Sequence, residues 1–349
     1  MAAKSTRPKK SEKKSSKKVK PATVSSLKKI PFWVGFDLGG TKMLACVLDE
    51  NYQVLGTARK STGGSDGQIK GRKKIVSVIH EAIASAGIDP AGLQGIGIGC
   101  PGLVNPQKGI LINAPNLGWK NMGLTGILTT AFKKPVAVLN DVDAGTFGEY
   151  KQGAGKGARS LLGVFPGTGV GTGFVYDGKL IMGRNVSAME LGMIYVPGTH
   201  LGSSIPGAVM IEDLTSRLAI ASQAGIACYR GQLPDLDKKT RGNLRDIRSK
   251  ALSAAYNRQE AAALSIFGNS ITYLGMGIAS VVNLLAPDQI TLGGGLVEEI
   301  PQLYLTKLKE EVNRFALPSL ATGIKYTLAK LGGNAVAVGS VAWLRDQHG

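Results

Sequence analysis

Beyond residue 30 the chain alternates apolar runs with short glycine-rich or polar breaks, the pattern of strands joined by tight turns. Residues 32–36, 43–48 and 52–58 read as three successive strands, with turns at 37–42 and 49–51. A helix is expected over 68–86, then strands at 95–99 and 136–139. The second half repeats the opening: a strand at 160–165, a Gly/Thr turn at 167–173, and strands at 174–176 and 180–182. FDLGGTKMLACVLDE at 36–50 and FPGTGVGTGFVYDGK at 165–179 share one order of strand, Gly/Thr turn, strand and polar turn. A single recurrence over so long an offset indicates a duplicated half rather than a solenoid repeat. Two such halves facing each other, each presenting a glycine hairpin, would enclose a cleft able to hold a polyphosphate. Further on, 289–294 reads as a strand, 301–315 as an amphipathic helix and 333–345 as a final helix. Alternation of this kind predicts an α/β protein with mixed or parallel sheets.

The apolar stretch 261–286 raises a membrane span, but Asn269, Ser270, Thr272 and Asn283 interrupt it and basic anchors are missing at its C-terminal side. A buried helix is the expectation, with no membrane association. Composition agrees with a globular chain: 349 residues, 43% hydrophobic and 19% charged, can bury a large core as two domains or one large α/β unit. Cys46, Cys100 and Cys228 have no CxxC spacing and no nearby His cluster, so buried thiols in a reducing, cytoplasmic setting are expected.

The net charge of +18 suggests a nucleic-acid binder until it is divided along the chain. Residues 1–30 carry eleven Lys/Arg against one acid, Glu12, and so hold +10 of the excess. That segment has almost nothing to bury and reads as a solvated, disordered tail without an apolar leader core. It lacks aromatics to stack on bases, so no specific nucleic-acid contact is expected of it.

Three segments carry candidate chemistry. In Asp37-Leu-Gly-Gly-Thr-Lys42, Gly39 and Gly40 permit close backbone approach, and N–H groups with the Thr41 hydroxyl can face phosphate oxygens beside Lys42. Asp37 could hold Mg²⁺, directly or through water, because hard cations take oxygen ligands. Gly167-Thr-Gly-Val-Gly-Thr-Gly173 is followed by a strand, unlike a Walker A loop or a dinucleotide fingerprint, and reads as a second phosphate clamp through Gly167, Thr168 and Gly169. Asn140-Asp141 follows an apolar strand, where Asp141 suits the task of accepting a hydroxyl proton in phosphoryl transfer. From the dipeptide alone, capping of the helix that begins near Val142, with Asp141 as the cap, is the favoured reading.

Together these segments resemble the ROK family of sugar kinases and repressors. The match runs in order through DLGGTK at 37–42, GIGCPGLVNPQKGIL at 97–111, NAPNLGW at 113–119, LNDVDAGTFGE at 139–149, GTGVGTG at 167–173, AMELG at 188–192 and PDQITLGGGL at 287–296. The resemblance implies an α/β, two-lobed, actin-like ATPase fold (sugar kinase/hexokinase-like) with duplicated β-hairpin phosphate clamps. Residues 31–141 would form the N-terminal lobe, 142–332 the C-terminal lobe, and a C-terminal helix at 333–347 would pack back on the first. It also implies an ATP- and Mg²⁺-dependent hexose kinase, most often a glucokinase and a homodimer. Asp141 would be the general base toward the sugar 6-hydroxyl, and Asn140, Glu190, Asn116 and Glu212 would contact the sugar. Gly293, Gly294 and Gly295 would face the adenosine.

Departures from the family pattern matter as well. The glutamate motif of the family continues into Gly-His with a downstream cysteine trio that binds zinc; here Gly192 is followed by Met193, and 199–212 contains no Cys. No zinc site is expected, and His200 reads as a lone loop histidine. The same features are similar to polyphosphate-dependent glucokinases, which makes inorganic polyphosphate an alternative donor that the basic tail could hold. Other hexoses, N-acetylhexosamines and a sugar-sensing regulator are the remaining alternatives. The repressors of the family carry a helix-turn-helix domain ahead of the first glycine motif, whereas only 36 residues precede Asp37 and the first 30 lack the apolar periodicity of a recognition helix.

Overall fold

Two five-stranded sheets of the same topology organise the computed structural model, which describes residues 28–64, 67–198 and 205–348. In the first half the chain runs through β1 (Phe32–Leu38), β2 (Lys42–Leu48), β3 (Val54–Ser61), α1 (Gln68–Ala86) and β4 (Leu93–Cys100). It continues through β5 (Leu103–Asn105), β6 (Ile110–Ala114), β7 (Trp119–Gly123), α2 (Leu124–Phe132), β8 (Val136–Asn140) and α3 (Asp141–Gln152). The second half opens with β9 (Ser160–Pro166), β10 (Val170–Tyr176), β11 (Lys179–Leu180), β12 (Tyr195–Pro197) and β13 (Ala208–Met210). Helices α4 (Glu212–Thr215), α5 (Arg217–Tyr229), α6 (Pro234–Thr240), α7 (Ser249–Asn257) and α8 (Ala261–Leu285) follow. The chain closes with β14 (Gln289–Leu292), α9 (Gly295–Glu299), α10 (Leu308–Phe315), α11 (Pro318–Ala321), β15 (Lys325–Leu328) and α12 (Ala335–His348).

The first sheet has the order β3-β2-β1-β4-β8 and the second β11-β10-β9-β14-β15. In each, the first three strands form an antiparallel meander and the last two join in parallel after helical crossovers. The duplication expected from the glycine hairpins is thus a duplication of topology. One core lies between the first sheet and α1, with Phe32, Phe36, Ile79 and Trp119 fully enclosed; the other lies beneath the second sheet and centres on α8. Helix α8 has the length and hydropathy of a membrane span, but Phe267, Ile271, Leu274 and Ile278 are packed into this second core, as expected of a buried helix. Cys46, Cys100 and Cys228 are buried free thiols.

Helices α3 and α12 cross between the sheets. Helix α3 packs on β9 and β10, while α12 packs on β1 and β4. At Gly339 their contact is backbone on backbone, because a Cβ placed there would lie 1.7 Å from the Ala144 carbonyl oxygen. Beside the crossing, the fully buried Glu149 carboxylate accepts N–H groups from Ala154 (2.8 Å), Lys330 (2.9 Å) and Leu331 (2.7 Å). It ties the end of α3 to the segment that leads into α12. At the far end of α12, the Arg345 guanidinium lies 4.6 Å from the Trp33 ring and 4.7 Å from Tyr52, which fastens the C-terminus to the first sheet.

Some elements differ from the sequence reading. The Gly/Thr turn is confined to Gly167–Gly169, and Val170 through Gly173 already belong to β10. The glycines there serve packing: a Cβ on Gly171 would come 2.4 Å from Val142, and one on Gly173 would come 2.5 Å from the Thr146 hydroxyl, both on α3. The three-stranded sheet β5-β6-β7 and the β12-β13 ribbon carry no strong alternation and were not anticipated. The helix expected over 301–315 includes a π-helical stretch at Leu303–Lys307. The tail up to residue 27 and His200 lie outside the described residues.

Candidate functional site

A cleft of about 840 Å³ opens where the two hairpin turns face each other. Its walls bring together residues that are far apart in the chain: Gly40 and Thr41 from the first turn, Gly167, Thr168 and Gly169 from the second, and Asn116, Asn140, Asp141, Glu190 and Glu212. Parallel strands deliver polar residues at their C-terminal ends, which is why β8 ends in Asn140 at the cleft.

Asn140 is the N-cap of α3. Its Oδ1 accepts the N–H groups of Val142 (2.7 Å) and Asp143 (3.2 Å), and its Nδ2 donates to the Gly102 carbonyl (3.1 Å). The capping reading therefore belongs to Asn140 rather than to Asp141. Asp141 is left at the cleft wall, with Oδ1 accepting from Val142 N–H (3.0 Å). Withdrawal from water, and then the nearby Asp37 charge, raise its pKa to about 7. Asp37 does not itself line the cleft; burial raises its pKa to about 6 and Arg59 opposes the rise.

The second turn is closed by Gly167 N–H, which donates to the Gly169 carbonyl (2.8 Å). The N–H groups of Gly40, Thr41, Thr168 and Gly169 have no acceptor among the described residues, while Thr62 holds the first turn by donating its hydroxyl to the Gly39 carbonyl (2.6 Å). Each turn is a small concavity of free donors suited to an anion. In the second turn Val170 N–H donates to Glu212 Oε2 (2.8 Å), so Glu212 is at once a cleft wall and a support of the turn.

Glu190 projects from a constrained segment. Met189 has φ 64°, its carbonyl accepts the Thr172 hydroxyl, and Leu191 N–H donates back to that hydroxyl (3.2 Å). Partial burial, and then the Glu212 charge, raise the Glu190 pKa above the ordinary carboxylate range. Met193 lies in the same wall.

Not every anticipated residue reaches this space. Lys42 is exposed at the start of β2, and Gly39 packs under its carbonyl. Gly293, Gly294 and Gly295 lie off the cleft: Gly293 faces the Phe165 ring, Gly294 is the N-cap of α9, and a Cβ placed on Gly295 would lie 3.3 Å from the Ser249 hydroxyl. Conversely, Gly102, Asn113, Phe165 and Ser187 line the cleft without having been singled out. Gly102 and Asn113 fall inside segments already noted, GIGCPGLVNPQKGIL and NAPNLGW, whereas Ser187 sits in an irregular stretch with no pattern to mark it.

Comparison with known proteins places this geometry in context. Residues 33–347 match the model of the ROK family. A glucokinase of Halalkalibacterium halodurans is 31% identical over 320 residues, spanning 91% of this chain and 96% of that protein. A xylose repressor of Caldicellulosiruptor bescii is 27% identical over 77% of this chain and 66% of its own length. Among solved structures, a ROK family glucokinase from Streptomyces griseus in complex with glucose and AMPPNP superimposes with a TM-score of 0.76 at 28% identity, covering 90% of this chain and 99% of that one. The duplicated sheets are those of the actin-like ATPase fold of ROK sugar kinases, and the chain belongs to the ROK family.

Proposed function

We propose that this protein is a hexose kinase, with glucose as the first candidate substrate, that transfers the terminal phosphoryl group of Mg-ATP to the sugar 6-hydroxyl. The observation that carries this reading is the meeting, in one cleft, of a poised carboxylate, Asp141, with two free-amide turns and two further glutamates. Asp141 Oδ2 accepts the hydroxyl proton as the sugar oxygen bonds to phosphorus and the bond to the departing ADP oxygen breaks. Asn140, Asn116, Glu190 and Glu212 hold the remaining sugar hydroxyls. The turns at Gly39–Thr41 and 167–169 hold the donor phosphates. Lys42 and residues Gly293 to Gly295, although outside the cleft walls, remain candidates for the donor's outer parts.

Asp37 and Asp141 are close enough for the charge of one to raise the pKa of the other, an all-oxygen pair that suits a hard cation. Asp37, directly or through water, would hold Mg²⁺, which supplies charge neutralisation to the phosphates. The glucokinase relatives support ATP and glucose, and the free amides of the turns serve inorganic polyphosphate equally well. We place the protein in the cytoplasm as a homodimer without specific nucleic-acid contact.

The test is phosphorylation across a hexose panel with Mg-ATP and, separately, polyphosphate, together with the Asp141→Asn variant. The variant is expected to lose at least a thousandfold in kcat while binding glucose with unchanged affinity. Turnover within tenfold of the original chain would remove Asp141 from the role of base.

A further inference from the structure

The second turn is gripped by a single short segment of chain, Glu212 to Arg217. Glu212 Oε2 takes the Val170 N–H at 2.8 Å, the Arg217 N–H donates to the Gly167 carbonyl at 2.8 Å, and Arg217 Nη2 donates to the Thr168 hydroxyl at 3.3 Å. The backbone bond fixes the root of the Arg217 side chain against the turn, so its guanidinium is anchored beside Thr168, itself a cleft wall residue.

Charge makes this placement informative. The described cleft walls contain three acids, Asp141, Glu190 and Glu212, and no Lys or Arg. A site built for a phosphate chain with only acids on its walls needs a cation at its edge. Among the described residues no carboxylate lies within ion-pair distance of Arg217, and its hydrogen bond to Thr168 uses one of the five N–H donors of the fork. The N–H groups of Thr168 and Gly169 are free on the same turn. A phosphate resting there would meet two amides, a hydroxyl and a planar guanidinium matched to its oxygens.

We infer that Arg217 is a donor-binding residue, whose guanidinium grips the phosphate chain of the phosphoryl donor as it lies on the Gly167–Gly169 turn. The inference rests on the phosphoryl-transfer reading above. The phosphate chain is the shared chemistry of a nucleoside triphosphate and an inorganic polyphosphate, and Arg217 reads that chain rather than a base.

Calorimetric titration with AMPPNP and with tripolyphosphate tests this without requiring turnover, on the full chain and on Arg217→Ala, Arg217→Gln and Arg217→Lys. Arg217→Ala and Arg217→Gln are each expected to raise Kd at least tenfold for one or both probes, with Arg217→Lys intermediate and glucose affinity unchanged in all three. A loss confined to tripolyphosphate assigns the contact to an inorganic chain, and one confined to AMPPNP assigns it to a nucleotide. Full affinity in Arg217→Gln, which can still donate to Thr168 but carries no charge, would reduce Arg217 to a prop of the turn and overturn the inference. So would Kd values within twofold of the original chain for both probes in Arg217→Ala. An original chain that binds tripolyphosphate through Arg217 yet phosphorylates no hexose would defeat the kinase reading and leave Arg217 standing; one that binds neither probe defeats both.

Discussion

Two acids at the start of α3 differ in what their raised pKa values do. Asp141 must be ionised to accept a proton, so with its pKa near 7 the kcat/KM for the hexose should fall about tenfold per pH unit below that point and level off above it. A profile flat between pH 5.5 and 8 would contradict the assignment. Asp143 is 1% exposed, its Oδ2 has no hydrogen-bond partner among the described residues, and burial raises it from 3.8 to about 7; the nearby Ser187 hydroxyl opposes the rise and the Glu190 charge adds to it. A carboxyl whose pKa is higher folded than unfolded costs nothing below about pH 4. Its cost grows as the pH climbs from there, because the unfolded chain releases the proton first, and is complete above about pH 7. Asp143→Asn removes that cost, so the Tm of this variant relative to the original chain should rise between pH 4.5 and 8. A constant difference across that range would mean that the carboxyl ionises as it does in the unfolded chain.

At the scale of elements, periodicity alone located α1 to the residue and the outlines of β1, β2, β8, β9 and α8, because each alternates or repeats over enough positions to be unambiguous. The glycine run at 167–173 misled for a physical reason. Glycine is the mark of a turn and also of a surface where two backbones touch, and Gly171 and Gly173 belong to the second class. The β5-β6-β7 sheet escaped because β5 has only three residues and β7, WKNMG, has no apolar run to mark it. At the cleft, residues inside compact motifs were readable in advance, whereas Ser187 on its wall and Arg217 at its edge are brought there only by the folding of remote segments. The same close approach governs the α3–α12 crossing, where Gly339→Ala should destabilise the fold by about 3 kcal/mol, read as a lower urea midpoint with an unchanged slope. An unshifted midpoint would show that the helices can part at little cost.

For the molecule as a whole, the two sheets communicate through a narrow joint made of α3, α12 and the buried Glu149. Replacing Glu149 with Gln would set an amide N–H₂ among donors that already need acceptors, and a loss of about 2 to 4 kcal/mol is expected from chemical denaturation. Retention of full stability would show that the three N–H groups find other acceptors. The backbone contact at Gly339 has a mechanical consequence. Helices that touch only through side chains can slide in small steps as rotamers re-pack, but at Gly339 a slide of one residue would drive a Cβ into a carbonyl oxygen. Translation of α12 along α3 is therefore resisted at this contact, which favours keeping the two helices in register.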